Sequence, residues 1–376
     1  MNRFRRIQII ASMLLLGCVV MPSAGACSVP VFRWALERWQ ADHYELLVFH
    51  DKALSEGDQA ALRTLEQRAK DPKAPANLEV HDIDVTQPID EPYGAAWKQA
   101  QGAPLPACFL LYPRNAHIAA PVWSGPLNEL RLDALMDSPV RRELAKRLLD
   151  GQSGVWLFLR SGDQAKDDAV AKLLSEQIDL ANRTLQLPDL TGDETLEGPN
   201  PPDVSNLRVE FSVLALNRDD PEEAMLVRML LGSEPDLREF REPMAFPVYG
   251  RGRVLYALVG KGINPDTVMK ASAFLIGECA CEIKAQNPGN DLIMPVDWEG
   301  GIGASLIGAV SELPPLPGTA LPAVADSTEV EEPEPSAIDG GMSAPFMRTT
   351  ALVAAAAVAV VAVGTLVSLA RRRNTQ

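Results

Sequence analysis

Cys279-Ala280-Cys281 is the spacing in this sequence best suited to thiol chemistry. A disulfide within C-x-C closes a small strained ring, which is more oxidising and more easily reduced than a relaxed bridge. Two thiolates that close could also hold a soft ion such as Cu(I), and Met294 follows near enough in sequence to add a thioether. Cys27 precedes a helical pattern whose N-terminus would favour its thiolate. Cys279, Cys281 and Cys27 are therefore the candidate redox thiols, and Cys279, Cys281 and Met294 the candidate Cu(I) donors. The structural alternative is that Cys27 bridges to Cys279 or Cys281 and staples the N-terminal helix to the second half of the chain. Cys108 lies in the apolar run Ala107–Tyr112 and reads as a buried small hydrophobe.

The other reactive types are scattered. His43, His50, His81 and His117 form no H-x-H or H-x-x-x-H pair, so no preformed zinc or copper site is expected from spacing. Asp82 and Asp84 flank Ile83 and share one strand face, a placement that suits paired acid–base carboxylates and equally an exposed polar face. Gly300-Gly301-Ile302-Gly303 lacks the leading strand and the acidic partner of a dinucleotide site. No catalytic residue or resident cofactor is expected, with Cu(I) as the alternative.

The chain must carry these residues on two folded halves. Its 376 residues are 47% hydrophobic, with five cysteines, 30 prolines and a net charge of −15. Arg3, Arg5, Arg6 and Arg371–Arg373 belong to the two ends, so the chain between them holds 29 basic against 50 acidic residues. That acidity argues against nucleic acid and anionic headgroups as partners.

The ends set the expected location. Residues 1–26 read as a signal peptide: basic start, apolar Ile7–Met21, Pro22, and Ala24-Gly25-Ala26 before Cys27. Leu15-Leu16-Gly17-Cys18 resembles a lipobox, so lipidation at Cys18 or Cys27 is the alternative processing. Residues 349–370 are uncharged, and 22 residues of helix reach about 33 Å, enough for a bilayer core. Arg371–Arg373 follows as a cytoplasmic stop within the tail 371–376. A cleaved signal and a C-terminal anchor imply a single-pass type I protein of the cell membrane, its ectodomain extracytoplasmic and, in a bacterium, periplasmic. Residues 304–348 are proline-rich and acidic and read as a disordered stalk.

Between the ends one order of elements occurs twice. Strand patterns at 44–50, 78–85, 107–112 and 117–123 and helical patterns at 55–70, 94–100 and 128–149 follow a leading helix at 29–39. A second set runs through strands at 155–159, 207–216, 245–249 and 253–259, with helices at 163–185, 221–231 and 265–276. Each half is thus β-α-β-α-β-β-α, an α/β fold. The expected domains are 27–150, with the leading helix, and 151–303, with a C-terminal extension.

This order resembles the thioredoxin fold. In that family a proline, usually cis, precedes the third strand; Leu105-Pro106-Ala107-Cys108 looks like that segment, and Phe246-Pro247-Val248-Tyr249 like its second copy. The resemblance covers roughly residues 44–150 and 154–278. A redox-active member carries C-x-x-C straight after the first strand. Here those stretches are His50-Asp51-Lys52-Ala53-Leu54 and Arg160-Ser161-Gly162-Asp163, without cysteine, so the usual activity does not transfer. The resemblance implies tandem non-catalytic modules that bind or assemble other envelope or membrane proteins. A thiol-disulfide oxidoreductase or Cu(I) relay at Cys279/Cys281 is the alternative.

Overall fold

The computed structural model describes residues 27–189, 207–279 and 284–302. The expected signal peptide, stalk and anchor, and Cys18 and Cys281, lie outside these residues. Among the described residues no helix is long and apolar enough to cross a membrane.

The protein is a mixed α/β structure with two mixed sheets. Its strands are β1 (Cys27–Pro30), β2 (Tyr44–His50), β3 (Leu78–Asp84), β4 (Ala107–Leu111), β5 (Trp123–Pro126), β6 (Gly154–Arg160), β7 (Phe211–Asn217), β8 (Met244–Tyr249), β9 (Arg253–Val254), β10 (Leu258–Val259), β11 (Glu278–Cys279) and β12 (Asn290–Asp291). The helices are α1 (Val31–Arg38), α2 (Glu56–Ala69), α3 (Gly94–Ala100), α4 (Leu132–Met136), α5 (Pro139–Leu149), α6 (Gln164–Thr184), α7 (Ala224–Leu231), α8 (Pro265–Ile276) and the single turn α9 (Trp298–Gly301).

The first sheet has the order β3-β2-β4-β5, with β2 and β3 parallel and the remaining pairs antiparallel. The second repeats it: β7 lies parallel to β6, β8 antiparallel to β6, and β9 and β10 antiparallel to β8. β12 extends that edge beside β9. A separate two-stranded ladder joins β1 to β11.

Side-chain alternation along the strands assigns the cores. In the first sheet Leu46, Val48, Cys108 and Leu110 face α2 and α5, which bury Leu62, Leu65, Leu144 and Leu148. Leu47, Phe49 and Phe109 face the other way, against Ala96 and Ala100 of α3. In the second sheet Trp156, Phe158 and Tyr249 meet α6 and α8, while Val155, Leu157 and Phe246 meet α7. The α2/α5 side of the first sheet and the α7 side of the second form one continuous core. Tyr112 ties them by donating from its hydroxyl to the Met229 carbonyl at 2.8 Å.

Residues 284–302 close this seam. Leu292, Ile293, Met294 and Trp298 are buried in the shared core. Asn77 donates to the Leu292 carbonyl at 3.1 Å and accepts from the Met294 amide at 3.1 Å. Arg141, 1% exposed, donates to the carbonyls of Ala134, Leu135 and Ile293 and to the Ser138 hydroxyl. Asp291 is ion-paired with Arg253 at 3.2 Å and with Lys284. The C-terminal extension is therefore a clasp on both halves.

Several boundaries differ from the sequence expectation. The helix expected at 128–149 is two, α4 and α5, because Pro139 starts a new first turn and keeps Ser138 extended. The strand expected at 117–123 is instead a turn with His117 left-handed (φ 55°), and pairing begins only at Trp123. The strand expected at 253–259 is split into β9 and β10, opposite Pro247, which has no N–H to donate to the ladder. The leading helix, grouped by sequence with the first half, packs on the second sheet with Trp156, Phe158 and Tyr249. Gly250 (φ 58°) permits that approach, since a Cβ there would lie 2.7 Å from the Ala35 Cβ.

Candidate functional site

β2 and β6 each lie between a parallel and an antiparallel neighbour, and the chain leaves both at their C-terminal ends. β2 ends at His50, whose ring is held at both nitrogens. Nδ1 lies 2.9 Å from the Lys52 carbonyl and Nε2 lies 2.7 Å from the Asp82 carboxylate. Parallel pairing explains the second contact, because Val48 faces Asp82 in the register and His50 follows two residues on. Asp84 does not join Asp82 as a carboxylate pair. It accepts from the amide and hydroxyl of Thr86, and these bonds hold its carboxyl below the usual range. Leu105–Pro106 is cis and leads into β4, whose first residue Ala107 pairs with Phe49 beside His50.

The corresponding end of β6 is closed differently. Asp167, 3% exposed in the first turn of α6, accepts from the Ser161 amide (2.8 Å), the Ser161 hydroxyl (2.8 Å) and the Gly162 amide (3.0 Å). Asp163 caps the helix by accepting from the Lys166 amide. Neither strand end carries a thiol, and their principal polar groups are already paired within the chain. The residue equivalent to Pro106 is Pro243, directly before β8, whose first residue Met244 pairs with Leu159. Pro247, taken from the sequence as the second copy, lies inside β8 opposite Trp156, and only Glu91–Pro92 and Leu105–Pro106 are cis among the described residues.

Of the candidate redox and metal residues, Cys27, Cys279 and Met294 lie among the described residues. Cys27 and Cys279 are cross-strand partners in the β1/β11 ladder. Cys281, the second half of the C-x-C, lies outside the described residues. Met294 is 1% exposed in the shared core, where its sulfur faces Gly252 and leaves no room for a Cβ there. It serves packing between the halves. Cys108 is fully buried, and burial with the nearby Asp58 charge pushes its thiol up to about 12, so it is inert near neutrality.

Spacing did not reveal a groove at the opposite end of the first sheet. Its cavity of about 370 Å³ is lined by Pro92, Tyr93, Leu111, Tyr112 and Ile118, with a charged rim. At the rim Arg114 donates to Glu45 from Nη2 at 2.6 Å and Nε at 3.0 Å, and its guanidinium lies 5.6 Å from the Tyr93 ring centre. Glu45 shows in the sequence as a lone charge in an apolar strand; its partner is 69 residues away, so composition alone could not pair them.

No family model matches the chain, and no curated protein or solved structure matches it.

Proposed function

We propose that this is a membrane-anchored extracytoplasmic binding or assembly module of a bacterial envelope, built of two thioredoxin-like domains and working through protein contacts. The domain reading is supported by the order of each sheet, a parallel pair followed by two antiparallel strands, and by the cis Pro106 before β4. One observation carries the non-catalytic reading. The strand ends where such domains hold their thiols are occupied here by His50 bound to Asp82 and by a Ser161–Gly162 loop bound to Asp167. The anchor and signal rest on the sequence pattern of the two ends.

The oxidoreductase and Cu(I)-relay alternatives lose support on two counts. Cys279 has Cys27 as its ladder partner, and Met294 is committed to the core. Thiol-disulfide exchange by the full-length protein in detergent, followed with a fluorescent mixed disulfide, is expected to match that of a Cys281→Ser variant. Faster exchange that this variant abolishes would sink the binding-module reading. A module also predicts that the chain solubilised from its native membrane migrates in a complex larger than itself, unchanged by Cys281→Ser. Migration as a bare monomer counts against it.

A further inference from the structure

The chain leaves β7 at Asn217, the register partner of Arg160, and the next residue is Arg218. Its guanidinium is held by one long hydrogen bond, donated from Nη1 to the Phe240 carbonyl at 3.3 Å. Nε and Nη2 are shielded from solvent and have no hydrogen-bond partner. These two N–H groups lie on one edge of the planar guanidinium, the edge that meets two oxygens of a carboxylate or phosphate side by side. Charged donors left buried and unmet destabilise the folded state. The acids whose charge reaches Arg218 do not supply the missing acceptor. Asp167 spends its carboxylate on Ser161 and Gly162, and Asp219 makes no bond to either nitrogen. Arg241 is exposed and directly follows the residue whose carbonyl Arg218 holds. Burial first, and then the Arg241 charge, hold the Arg218 guanidinium below its ordinary basicity, and a bound anion would offset both.

We infer that Arg218 anchors a site for one small oxyanion, a carboxylate or a phosphoryl group, with Arg241 as its outer charge. The fork of Nε and Nη2 takes two oxygens of the anion. Turning that fork outward breaks only the bond to Phe240 and makes two shorter, charge-assisted ones. The Phe240 side chain, 41% exposed, offers an apolar surface to the group that carries the anion. The equivalent end of the first sheet has no such vacancy in its bonding, because His50 is engaged at both ring nitrogens.

The test is isothermal titration of the full-length protein in detergent with inorganic phosphate and, separately, with succinate, at constant ionic strength set by chloride. Saturable binding of at least one anion is expected. Arg218→Gln should weaken it by at least about tenfold, and Arg241→Gln by less. Saturation by phosphate alone assigns a phosphoryl ligand, by succinate alone a carboxylate, and by both a fork that reads only the paired oxygens. Without added anion, Arg218→Gln should unfold at a urea midpoint no lower than the wild type, because it removes an unpaired buried charge. Absence of saturable binding of either anion overturns the site. So does binding that Arg218→Gln leaves unchanged. A lower midpoint of this variant without anion overturns it as well, since the guanidinium would then be serving the fold.

Discussion

The backbone register of Cys27 with Cys279 makes a prediction that bears directly on what the cysteines do. Residues directly opposite in an antiparallel ladder have Cα atoms about 4.5–5.5 Å apart, inside the range a disulfide spans. In an oxidising compartment these two should be joined, leaving Cys281 outside the bridge. The bridge would close a loop of about 250 residues. Loop-closure entropy then gives an upper value of about 5.5 kcal/mol at 25 °C, and native-state strain usually brings such gains to about 2–5 kcal/mol. The perturbation is Cys27→Ser in the oxidised full-length protein. The assays are urea unfolding by tryptophan fluorescence and a peptide map with differential thiol labelling. The wild type should show a Cys27–Cys279 peptide that resists mild reductant and a stability excess within that range. A map that finds Cys27 free, or joined to Cys281, refutes the reasoning, and so does a stability difference below about 1 kcal/mol.

Other outcomes follow from the buried polar groups. Arg141→Met strips a donor from three buried carbonyls and should cost about 2–4 kcal/mol in urea unfolding, whereas Arg142→Met, on an exposed pair with Asp137, should cost less than about 1 kcal/mol. Cys108, with its thiol pushed up to about 12 by burial, should resist alkylation at pH 8 in the native protein and react at once in denaturant. Burial raises the Asp42 carboxyl, but hydrogen bonds from Lys284 and Asn115 outweigh it and hold the group below its ordinary 3.8. A folded value below the unfolded one means a stabilising contribution that is present above pH 3.8 and lost as pH falls through the folded value. The excess stability of wild type over Asp42→Asn should therefore hold from pH 7 to 5 and vanish in acid; a constant difference in unfolding midpoint would contradict it.

How far the fold was legible depended on whether local chemistry and tertiary pairing agreed. Tyr44–His50 is an apolar run broken by the single charge of Glu45 and closed by His50, and the strand has those bounds. Asn264 and Pro265 mark the start of α8, and Asn264 forms a capping box with Thr267. Ser55 caps α2 by accepting from the Asp58 amide three residues on. Where proline acts through a neighbour, local pattern misplaces the boundary. Pro139 ended one helix and began another, and Pro247 interrupted the strand paired with its own. Pro243 and Pro247 pose the same difficulty. Both precede apolar residues, and only the pairing of Met244 with Leu159 shows which one stands at the strand's start.

The polar corner of His43, Glu45, Glu79 and His81, where Glu79 contacts both rings, was harder to read for a reason that is geometric. A search for H-x-H or C-x-C looks along one strand and assumes that donors meet because they are near in sequence. Here each strand supplies half of the set, His43-Tyr44-Glu45 and Glu79-Val80-His81, and the halves are 36 residues apart. Alternation puts each half on one face; only the crossover through α2 sets the halves side by side. A one-residue slip of β3 would carry Glu79 and His81 to the opposite face, where Leu78 and Val80 now meet the α2/α5 core. Burial of that apolar set therefore fixes the register and with it the distance between Glu79 and the two rings. A polar corner of this kind is specified by the hydrophobic residues between its members. Its signature in sequence is a pair of x-polar-x-polar strands whose apolar alternates demand the same core.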